Sequence, residues 1–476
     1  MENLEIKNSP LLLGAFGTAA FAAITSVFAL LFSFFSLPDQ VPLLFTAGQG
    51  LTNKIFLLAI PLLSILLLIG NAAVAEVFLR RGERAAALFP AALSTFISVI
   101  LAGSLIRIIK IFPLPPLPFE ETIYPLLLPL GLAAGLGFVL SALFAWAGRR
   151  LRLFDFPHGP YPKVRAIPRL GTIPLLLTFS TVAILFTNLD RSLAALIAGA
   201  AVIAAIQMID DLHPLPAWLQ GAGHLLAGLI VILGGIGIDF ITNPLAAWIG
   251  DPQIRLDNWV VAFNLFGTSF QFAILSDLFT IVWIFVLVNV VDWLDGLDGL
   301  ATGVGAIAAA AIVAISFITG TQSTALLGII LVGALLGFLP LNFFPAQIYL
   351  GGGAFLIGYF LAVLSIFSGA KTGTATLVLA LPIIDALYVV YRRILAKQSP
   401  FKGDTNHLHH RLIEVGLSQT QIVFLEWAIV ALLAVAAIIL TGVAKFAAVG
   451  FVFIAAILAN KLLLSRLGSK APGVAR

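Results

Sequence analysis

Residues 278–303 carry the pattern that decides the fold, and they read LFTIVWIFVLVNVVDWLDGLDGLATG. The first part is an almost unbroken apolar run, which approaches the roughly 20 residues that a helix needs to cross a bilayer. The run ends in Asp292, Asp295 and Asp298, and the glycines between these acids permit tight turns. This arrangement predicts a membrane protein whose polar chemistry lies where its helices end.

The composition of the whole chain indicates that lipid is its main solvent. Of 476 residues, 61% are hydrophobic and 10% are charged, and the mean hydropathy is +1.10. Soluble domains carry about a quarter charged residues, so a soluble fold could not hide this much apolar surface. The net charge of +4 is small and indicates no nucleic-acid partner. The absence of cysteine excludes disulfides, thiolate catalysis and cysteine-ligated metals.

We predict an all-α polytopic membrane protein with about fourteen transmembrane helices. About eleven of them form a core at residues 116–470, and about three form an N-terminal membrane extension of unknown role at residues 1–115. The first apolar run lacks the features of a cleaved signal peptide, so we expect a retained helix. The predicted spans fall near residues 11–35, 55–78, 86–109, 124–147, 172–188, 191–209, 218–238, 278–293, 300–319, 323–343, 353–369, 373–392, 421–441 and 446–464.

The distribution of basic residues predicts the orientation of these helices. Lysine and arginine concentrate in the loops after the second, fourth and twelfth spans. The basic residues of these three loops are Arg80, Arg81, Arg84, Arg149, Arg150, Arg152, Lys163, Arg165, Arg169, Arg392, Arg393, Lys397, Lys402 and Arg411. Loops after even-numbered spans share one side of the membrane, and basic loops stay in the cytoplasm. We therefore expect the polar loops and both termini to be cytoplasmic.

Two adjacent carboxylates, Asp210 and Asp211, end the predicted sixth span on the same side as Asp295 and Asp298. Neighbouring carboxylates raise each other's pKa, and a divalent cation removes this conflict. Mg²⁺ prefers oxygen ligands and commonly bridges carboxylates to substrate phosphates. The pattern therefore predicts a hard-metal site, although solvated acids at the membrane boundary are the alternative.

A cluster of three histidines, His407, His409 and His410, adjoins Arg411 after the predicted twelfth span. Imidazole and guanidinium groups at this density suit a phosphate or pyrophosphate. Three histidines could instead bind zinc, or they could belong to a solvated loop. We favour phosphate binding.

These motifs resemble those of the polyprenyl-phosphate N-acetylhexosamine-1-phosphate transferases of glycosyltransferase family 4, which start bacterial cell-wall and surface-glycan assembly. The resemblance covers about residues 124–464, and its motifs follow the family's order. They are Lys163 with Pro168-Arg-Leu-Gly171, Asp210-Asp211, the stretch Asn289 to Gly303, Pro382-x-x-Asp385 with Arg392-Arg393, and Ser399-Pro-Phe-x-x-Asp404-x-x-His407-Leu-His-His-Arg411. The His-x-His-His form resembles the branch that uses UDP-N-acetylglucosamine or a related UDP-sugar.

The resemblance implies that undecaprenyl phosphate or another polyprenyl phosphate attacks the β-phosphate of a UDP-N-acetylhexosamine and releases UMP. Asp210 or Asp211 would deprotonate or orient the lipid phosphate, and Asp295 and Asp298 would hold the nucleotide side of the site. Mg²⁺ or Mn²⁺ would be held by Asp211, Asp298 and Asp292. The implied substrate-binding residues are Lys163, Arg165, Asn289, His407, His409, His410 and Arg411.

The resemblance also implies a setting for the protein. It places the chain in the bacterial inner membrane as a multi-pass protein, surrounded by membrane lipids and compatible with a homodimer. Its small-molecule partners would be the polyprenyl phosphate lipid and the sugar nucleotide.

Three positions depart from the family's pattern. Arg165 stands where the family has His, and Asp292 stands where it has Asn. Residues 350–354 read Leu-Gly-Gly-Gly-Ala, where the family has a Gly-Asp-x-Gly-Ser loop whose Asp binds the metal. Asp292 precedes Asp295 by nearly one helical turn, so we expect it to supply the missing charge. On this hypothesis an acid introduced by Gly352→Asp would compensate for the loss of Asp292.

Two other interpretations stay open at the level of the sequence. One is a catalytically inactive relative that binds polyprenyl phosphate or a sugar nucleotide as a scaffold or regulator. The other is a transporter, because many helices with intramembrane charges are typical of transporters. A transporter predicts acids near the middle of the bilayer, whereas these acids lie at the ends of the predicted spans.

Overall fold

The computed structural model describes residues 40–42, 51–53, 124–151, 153–155, 167–243, 250–251, 253–265, 268–368, 371–398, 407–440 and 444–454. The chain forms two compact units, Met1–Ile123 and Tyr124–Arg476. In the first unit, strands β1 (Gln40–Pro42) and β2 (Leu51–Asn53) pair in antiparallel fashion. The three helices predicted within residues 1–115 lie outside the described residues.

The described part of the second unit consists mainly of helices, with short strands in the connections. The helices are α1 (Tyr124–Arg150), α2 (Thr172–Phe186), α3 (Arg191–Leu212), α4 (Ala217–Leu233), α5 (Ile274–Leu294), α6 (Leu300–Ile318), α7 (Gln322–Asn342), α8 (Gly353–Phe367), α9 (Lys371–Val378), α10 (Ala380–Leu395), α11 (Leu408–Val415), α12 (Gln419–Ile439) and α13 (Ala444–Ile454). The strands are β3 (Phe154–Asp155), β4 (Ile167–Pro168), β5 (Phe240–Thr242), β6 (Gln253–Arg255), β7 (Val260–Leu265) and β8 (Thr268–Ala273).

Six of these helices, α1, α3, α5, α6, α7 and α12, are long and apolar enough to cross a membrane. The pair α9 and α10 would add a seventh span if the two helices count as one. The shorter apolar helices are α2, α4, α8 and α13. A mostly helical, multi-pass membrane architecture is therefore confirmed, while the count of fourteen spans stays a prediction.

The span predicted at residues 373–392 is broken in the structure. Helices α9 and α10 meet at an angle of 80° around Leu379. Pro382 lies in the first turn of α10 and has no N–H to donate to the carbonyl of Val378, so a continuous helix would lose a hydrogen bond there. This break turns α10 away from the axis of α9.

The connection between α4 and α5 contains strands, which corrects the all-α prediction. Strands β5 and β6 form one antiparallel pair, and β7 and β8 form a longer one over six residues each. Polar and apolar residues alternate in β8, which reads Thr-Ser-Phe-Gln-Phe-Ala, and such alternation is typical of a strand with one covered face. The predicted spans near residues 218–238 and 278–293 leave this stretch as a connection without assigned structure.

Helices α1 and α7 pack with their backbones in close contact. A Cβ atom on Gly337 would lie 2.2 Å from the carbonyl oxygen of Ala134, and one on Gly333 would lie 2.6 Å from the carbonyl oxygen of Leu130. Small residues at helix interfaces are common in membranes, where dispersion contacts replace the hydrophobic effect as the source of association. These glycines set the distance between α1 and α7.

Helix α8 lies in the interior of the second unit. Its residues are buried from Gly353 to Ser365. Tyr359 on α8 donates a hydrogen bond to the carbonyl of Leu196 in α3 at 2.9 Å, and Trp283 of α5 donates to Ser365 at 3.1 Å. The middle and the end of α8 are thereby fixed relative to α3 and α5, the helices whose last turns carry the acids singled out in the sequence.

Candidate active site

The predicted acidic residues lie where apolar helices end. Asp210 and Asp211 belong to the last turn of α3. Asp292 belongs to the last turn of α5, and Asp295 is the C-cap of that helix. Helix α8 begins at Gly353, directly after the glycine-rich loop that lacks an acid. The contacts described below show that these three helix ends meet.

Asp211 is held from two sides by groups that are distant in the sequence. The Nε of Arg169 donates to its Oδ1 at 2.8 Å, and the N–H of Gly352 donates to its Oδ2 at 2.9 Å. The Asp211 side chain is only 5% exposed, whereas that of Arg169 is 42% exposed. Both oxygens of the carboxylate therefore have a donor, and the guanidinium beside it reaches solvent.

Main-chain hydrogen bonds fix the two groups that hold Asp211. Arg169 forms an isolated parallel bridge with Tyr349. The N–H of Tyr349 donates to the carbonyl of Pro168 at 2.9 Å, and the N–H of Gly171 donates to the carbonyl of Tyr349 at 3.0 Å. The segment after β4 is thus hydrogen-bonded to the loop before α8. Asp211 contacts both segments, and these three parts form a junction.

The loop before α8 is too crowded to accept a side chain. Gly351 has a φ of +56°, and a Cβ atom there would lie 2.5 Å from Oδ2 of Asp211 and 2.7 Å from Cγ of Arg169. A Cβ atom on Gly352 would lie 2.2 Å from the Cβ of Gln207. The expectation that Gly352→Asp restores a working carboxylate is contradicted by this contact, because the new side chain would have to displace α3.

Asp210 takes part in a different set of contacts from its neighbour. Its Oδ1 accepts hydrogen bonds from the N–H of Leu215 at 2.7 Å and from the side chain of Gln220 at 2.9 Å. These bonds close the turn between α3 and α4. Of the two adjacent acids, Asp211 faces the glycine-rich loop and is the better candidate for chemistry, while Asp210 positions the turn.

Asp292 brings the end of α5 to the same junction. It interacts electrostatically with three charged side chains, Arg169, Asp211 and Asp210. Asn289, one turn earlier on α5, donates its amide to the carbonyl of Phe285 at 2.7 Å within the helix. Asp292 is therefore near enough to Asp211 for their charges to interact, and its compensating role stays a prediction, while Asn289 makes a contact within its own helix.

Asp295 and Asp298 lie half-buried in the loop between α5 and α6. The N–H of Asp295 donates to the carbonyl of Asp292 at 2.9 Å. Oδ2 of Asp298 accepts a hydrogen bond from the N–H of Ala346 at 3.1 Å, which joins this loop to the segment before the glycine-rich loop. Their roles in holding the nucleotide and the metal stay predictions.

The histidine cluster is organised by Asp385 of α10. Its Oδ2 contacts Nδ1 of His407 at 2.8 Å, and its Oδ1 accepts from the N–H of Leu408 at 2.9 Å and from Arg411 at 3.0 Å. The sequence prediction did not name Asp385 as a site residue. The Pro382-x-x-Asp385 motif was the signal that could have identified it.

The histidines connect the cluster to the loop between α5 and α6. The rings of His407 and His409 lie parallel with centroids 5.8 Å apart, and His410 lies 4.3 Å from His409. A Cβ atom on Gly296 would lie 2.0 Å from Nε2 of His409. Only glycine at position 296 lets this imidazole reach the backbone between Asp295 and Asp298.

Most side chains of the histidine cluster are buried, unlike those of an ordinary solvated loop. His409 and Arg411 are each 2% exposed, and Arg411 lies 4.9 Å from the ring centroid of Tyr388. Burial and the neighbouring His410, His407 and Arg411 hold the pKa of His409 well below its ordinary value of 6.5. These contacts indicate that Arg411 and His407 position the cluster, and their direct binding to a phosphate stays a prediction.

The donor set fits a magnesium ion that is completed by substrate. Within the part of the chain that the structure describes, no group of three or more His, Asp or Glu side chains has a metal-binding arrangement. Asp211 and Asp292 do interact with each other. Mg²⁺ commonly takes one or two carboxylates and fills its remaining positions with water and substrate phosphates, so Asp211 and Asp292 are the residues that would hold such an ion.

Two predicted substrate-binding residues, Lys163 and Arg165, lie outside the described residues. The same holds for residues 399–406, which include Lys402 and Asp404 of the histidine-containing motif. Their part in the site stays a prediction.

Comparison with known proteins gives a family match that contains the acidic residues at the ends of α3 and α5, but not Arg169, Asp385 or the histidine cluster. Residues 193–369 match the family model of glycosyl transferase family 4. The chain is 26% identical over 309 residues to a probable undecaprenyl-phosphate N-acetylglucosaminyl 1-phosphate transferase of Bacillus subtilis, covering 63% of this chain and 80% of that protein. It is 29% identical over 330 residues to a decaprenyl-phosphate N-acetylglucosaminephosphotransferase of Mycobacterium leprae, covering 62% and 78%. An undecaprenyl-phosphate alpha-N-acetylglucosaminyl 1-phosphate transferase of Escherichia coli is 23% identical over 315 residues, covering 62% and 80%.

Proposed function

Because residues 193–369 match the family model of glycosyl transferase family 4, we propose that this chain belongs to that family and transfers N-acetylhexosamine-1-phosphate from a UDP-sugar to a polyprenyl phosphate. The relatives are named for transfer of N-acetylglucosamine phosphate to undecaprenyl or decaprenyl phosphate, so N-acetylglucosamine is the expected sugar. A bond forms between an oxygen of the lipid phosphate and the β-phosphorus of the UDP-sugar. The bond from that phosphorus to the bridging oxygen breaks, and UMP leaves.

The observation that carries the proposal is the meeting of α3, α5 and the loop before α8 around Asp211. Arg169 and Gly352 hold this carboxylate at 2.8 Å and 2.9 Å, and Asp292 interacts with it electrostatically. The histidine cluster adjoins the same α5–α6 loop through the contact of His409 with Gly296. Anionic and cationic side chains thus lie next to one another at the ends of apolar helices, as a reaction between two phosphates requires.

Phosphoryl transfer depends mainly on positioning and on neutralising charge. The Asp211 carboxylate, which two donors hold in place, would orient the lipid phosphate, and the exposed edge of Arg169 would offset its charge. Asp385 keeps His407 and Arg411 in a fixed arrangement. Burial, together with His410, His407 and Arg411, keeps His409 a neutral imidazole at pH 7. A neutral imidazole can donate one hydrogen bond to a phosphate oxygen.

Mg²⁺, or Mn²⁺ in its place, would be held by Asp211 and Asp292, with Asp298 as the third predicted acid. When bound, the ion would neutralise negative charge on the pyrophosphate of the sugar nucleotide. Arg169 and Gly352 hold Asp211 in place, and the N–H of Ala346 holds Asp298.

The proposal extends to the setting of the protein. It comprises about fourteen spans, a bacterial inner-membrane location and a cytoplasmic face for the candidate site, and it allows a homodimer. The support for the cytoplasmic face is the concentration of lysine and arginine in the loops that carry the site residues.

Release of UMP by the purified full-length protein tests the proposal. The assay contains polyprenyl phosphate, Mg²⁺ and a panel of UDP-sugars, and compares the wild type with Asp211→Asn. We expect UMP release by the wild type and a loss of about 100-fold or more in the variant, as for other groups that orient charge in a transition state. Asp257→Asn, which changes a partly exposed acid paired with Arg255, is the matched control. A wild type that releases no UMP with any donor would refute the proposal in favour of an inactive relative.

A further inference from the structure

The junction around Asp211 contains a cation of its own. Arg169 donates to Oδ1 of Asp211 at 2.8 Å, and it also interacts electrostatically with Asp292. The two acids are the ones that the proposed function assigns to a divalent cation. A guanidinium is therefore already bound where positive charge is required.

The glycine-rich loop makes room for this ion pair. A Cβ atom at position 351 would lie 2.7 Å from Cγ of Arg169 and 2.5 Å from Oδ2 of Asp211. Even the smallest side chain there would displace either the guanidinium stem or the carboxylate. The loop at residues 350–354 therefore has room for the ion pair of Arg169 and Asp211 because it carries no side chain at position 351.

We infer that Arg169 is a positioning residue that acts as the resident counter-charge of the Asp211 and Asp292 pair, so that a free divalent cation binds in competition with it. This inference rests on the proposed function for the identity of the ion. With Arg169 in place the three side chains sum to a charge of about −1, and without it to about −2. Removal of the guanidinium therefore increases the attraction for a divalent cation and frees a carboxylate oxygen for it.

Direct binding of Mn²⁺ to the purified full-length protein tests this inference. Electron paramagnetic resonance counts free Mn²⁺ in the absence of any substrate, so the measurement does not depend on activity. We expect Arg169→Gln to bind Mn²⁺ roughly tenfold more tightly than the wild type, because a like charge close to the ion is removed. Arg169→Lys, which keeps the charge, should bind more like the wild type. Arg255→Gln, on the exposed pair with Asp257, is the control and should leave binding unchanged.

The sign of the change separates this role from a structural one. A variant that merely loosens the junction would bind Mn²⁺ more weakly, and weaker or equal binding by Arg169→Gln would overturn the inference. Absence of measurable Mn²⁺ binding in both proteins would overturn it as well. UMP release is measured separately on the wild type. Tighter Mn²⁺ binding by the variant without UMP release from the wild type would leave the inference standing and refute the proposed function.

Discussion

Asp385 contacts groups that lie 22 to 26 residues further along the chain. It contacts His407, the N–H of Leu408 and the guanidinium of Arg411 at 2.8–3.0 Å. A buried guanidinium needs such a partner, since an uncompensated charge in the interior is costly. The sequence supplied the histidines and, in the Pro382-x-x-Asp385 motif, the acid, but it did not show that the two meet, because nothing local in the sequence shows which helix returns to the histidines.

His409 predicts a pH dependence of stability. Its pKa in the folded protein lies well below 6.5. Above about pH 6.5 the imidazole is neutral in both folded and unfolded chains. Below that pH the unfolded chain takes up a proton that the folded chain does not, so unfolding becomes more favourable by up to about 1.4 kcal/mol per pH unit.

Thermal unfolding in detergent at pH 7.5 and 5.5 measures this effect. The drop in Tm between the two pH values should be smaller for His409→Asn than for the wild type. His213→Asn, which changes an exposed histidine, should retain the full drop. An equal drop in the wild type and His409→Asn would contradict a depressed pKa at this position.

Asp292 predicts the metal requirement of the enzyme. Asp292→Asn keeps the size of the side chain but removes an acid that interacts with Asp211. We expect the Mg²⁺ concentration for half-maximal UMP release to rise by roughly tenfold, since Mg²⁺ sites rely on one or two carboxylates. The measurement is a Mg²⁺ titration of the initial rate. A variant with an unchanged titration curve would show that Asp292 is only a residue at a helix end.

At the scale of helices, the close contact at Gly337 allows a test of the packing between α1 and α7. A Cβ atom there would lie 2.2 Å from the carbonyl of Ala134, whereas one on Gly135 of α1 has no neighbour within 4 Å. Gly337→Ala should destabilise the protein by about 1–3 kcal/mol, because the helices must separate. Gly135→Ala should be neutral or slightly stabilising, since alanine favours a helix more than glycine does. The measurement is the Tm of each variant, and equal Tm values would exclude a tight contact between α1 and α7 at Gly337.

The helices were more predictable than their breaks and connections. Long apolar runs predict α3, α5, α6, α7 and α12 directly, because lipid imposes both length and composition. The 80° bend at Leu379 and the paired strands between α4 and α5 depend on local hydrogen bonding. An apolar run that contains Pro382 reads as one span by composition alone.

The site was predictable as a set of residues but not as a geometry. Asp211, Asp292 and the histidines follow from their positions at the ends of apolar runs. Arg169 was named as a basic residue of its loop and as part of the motif from Pro168 to Gly171, but not as a site residue. Its contact with Asp211 arises because the segment after β4 pairs with Tyr349, which is 180 residues away (349 − 169). Such long-range pairing leaves no periodic signal in a single sequence.

At the scale of the whole molecule, the distribution of basic residues predicts a topology that the absence of cysteine makes easy to test. Glu414 and Asp251 are exposed residues on opposite predicted sides. In intact cells, Glu414→Cys should resist a membrane-impermeant thiol reagent, and Asp251→Cys should react fully. Both should react after the membrane is permeabilised. Labelling of Glu414→Cys in intact cells would invert the proposed orientation.

The length of α8 has a consequence for the depth at which the reaction takes place. Its 15 residues rise about 22 Å, which is less than the hydrocarbon thickness of about 30 Å. Protein encloses α8 along most of its length. Its two ends therefore do not both have to reach the lipid headgroups. The end at Gly352, which contacts Asp211, would then be free to lie below the level of the bilayer surface. A polyprenyl phosphate could deliver its headgroup there by lateral diffusion, without lifting its chain out of the membrane.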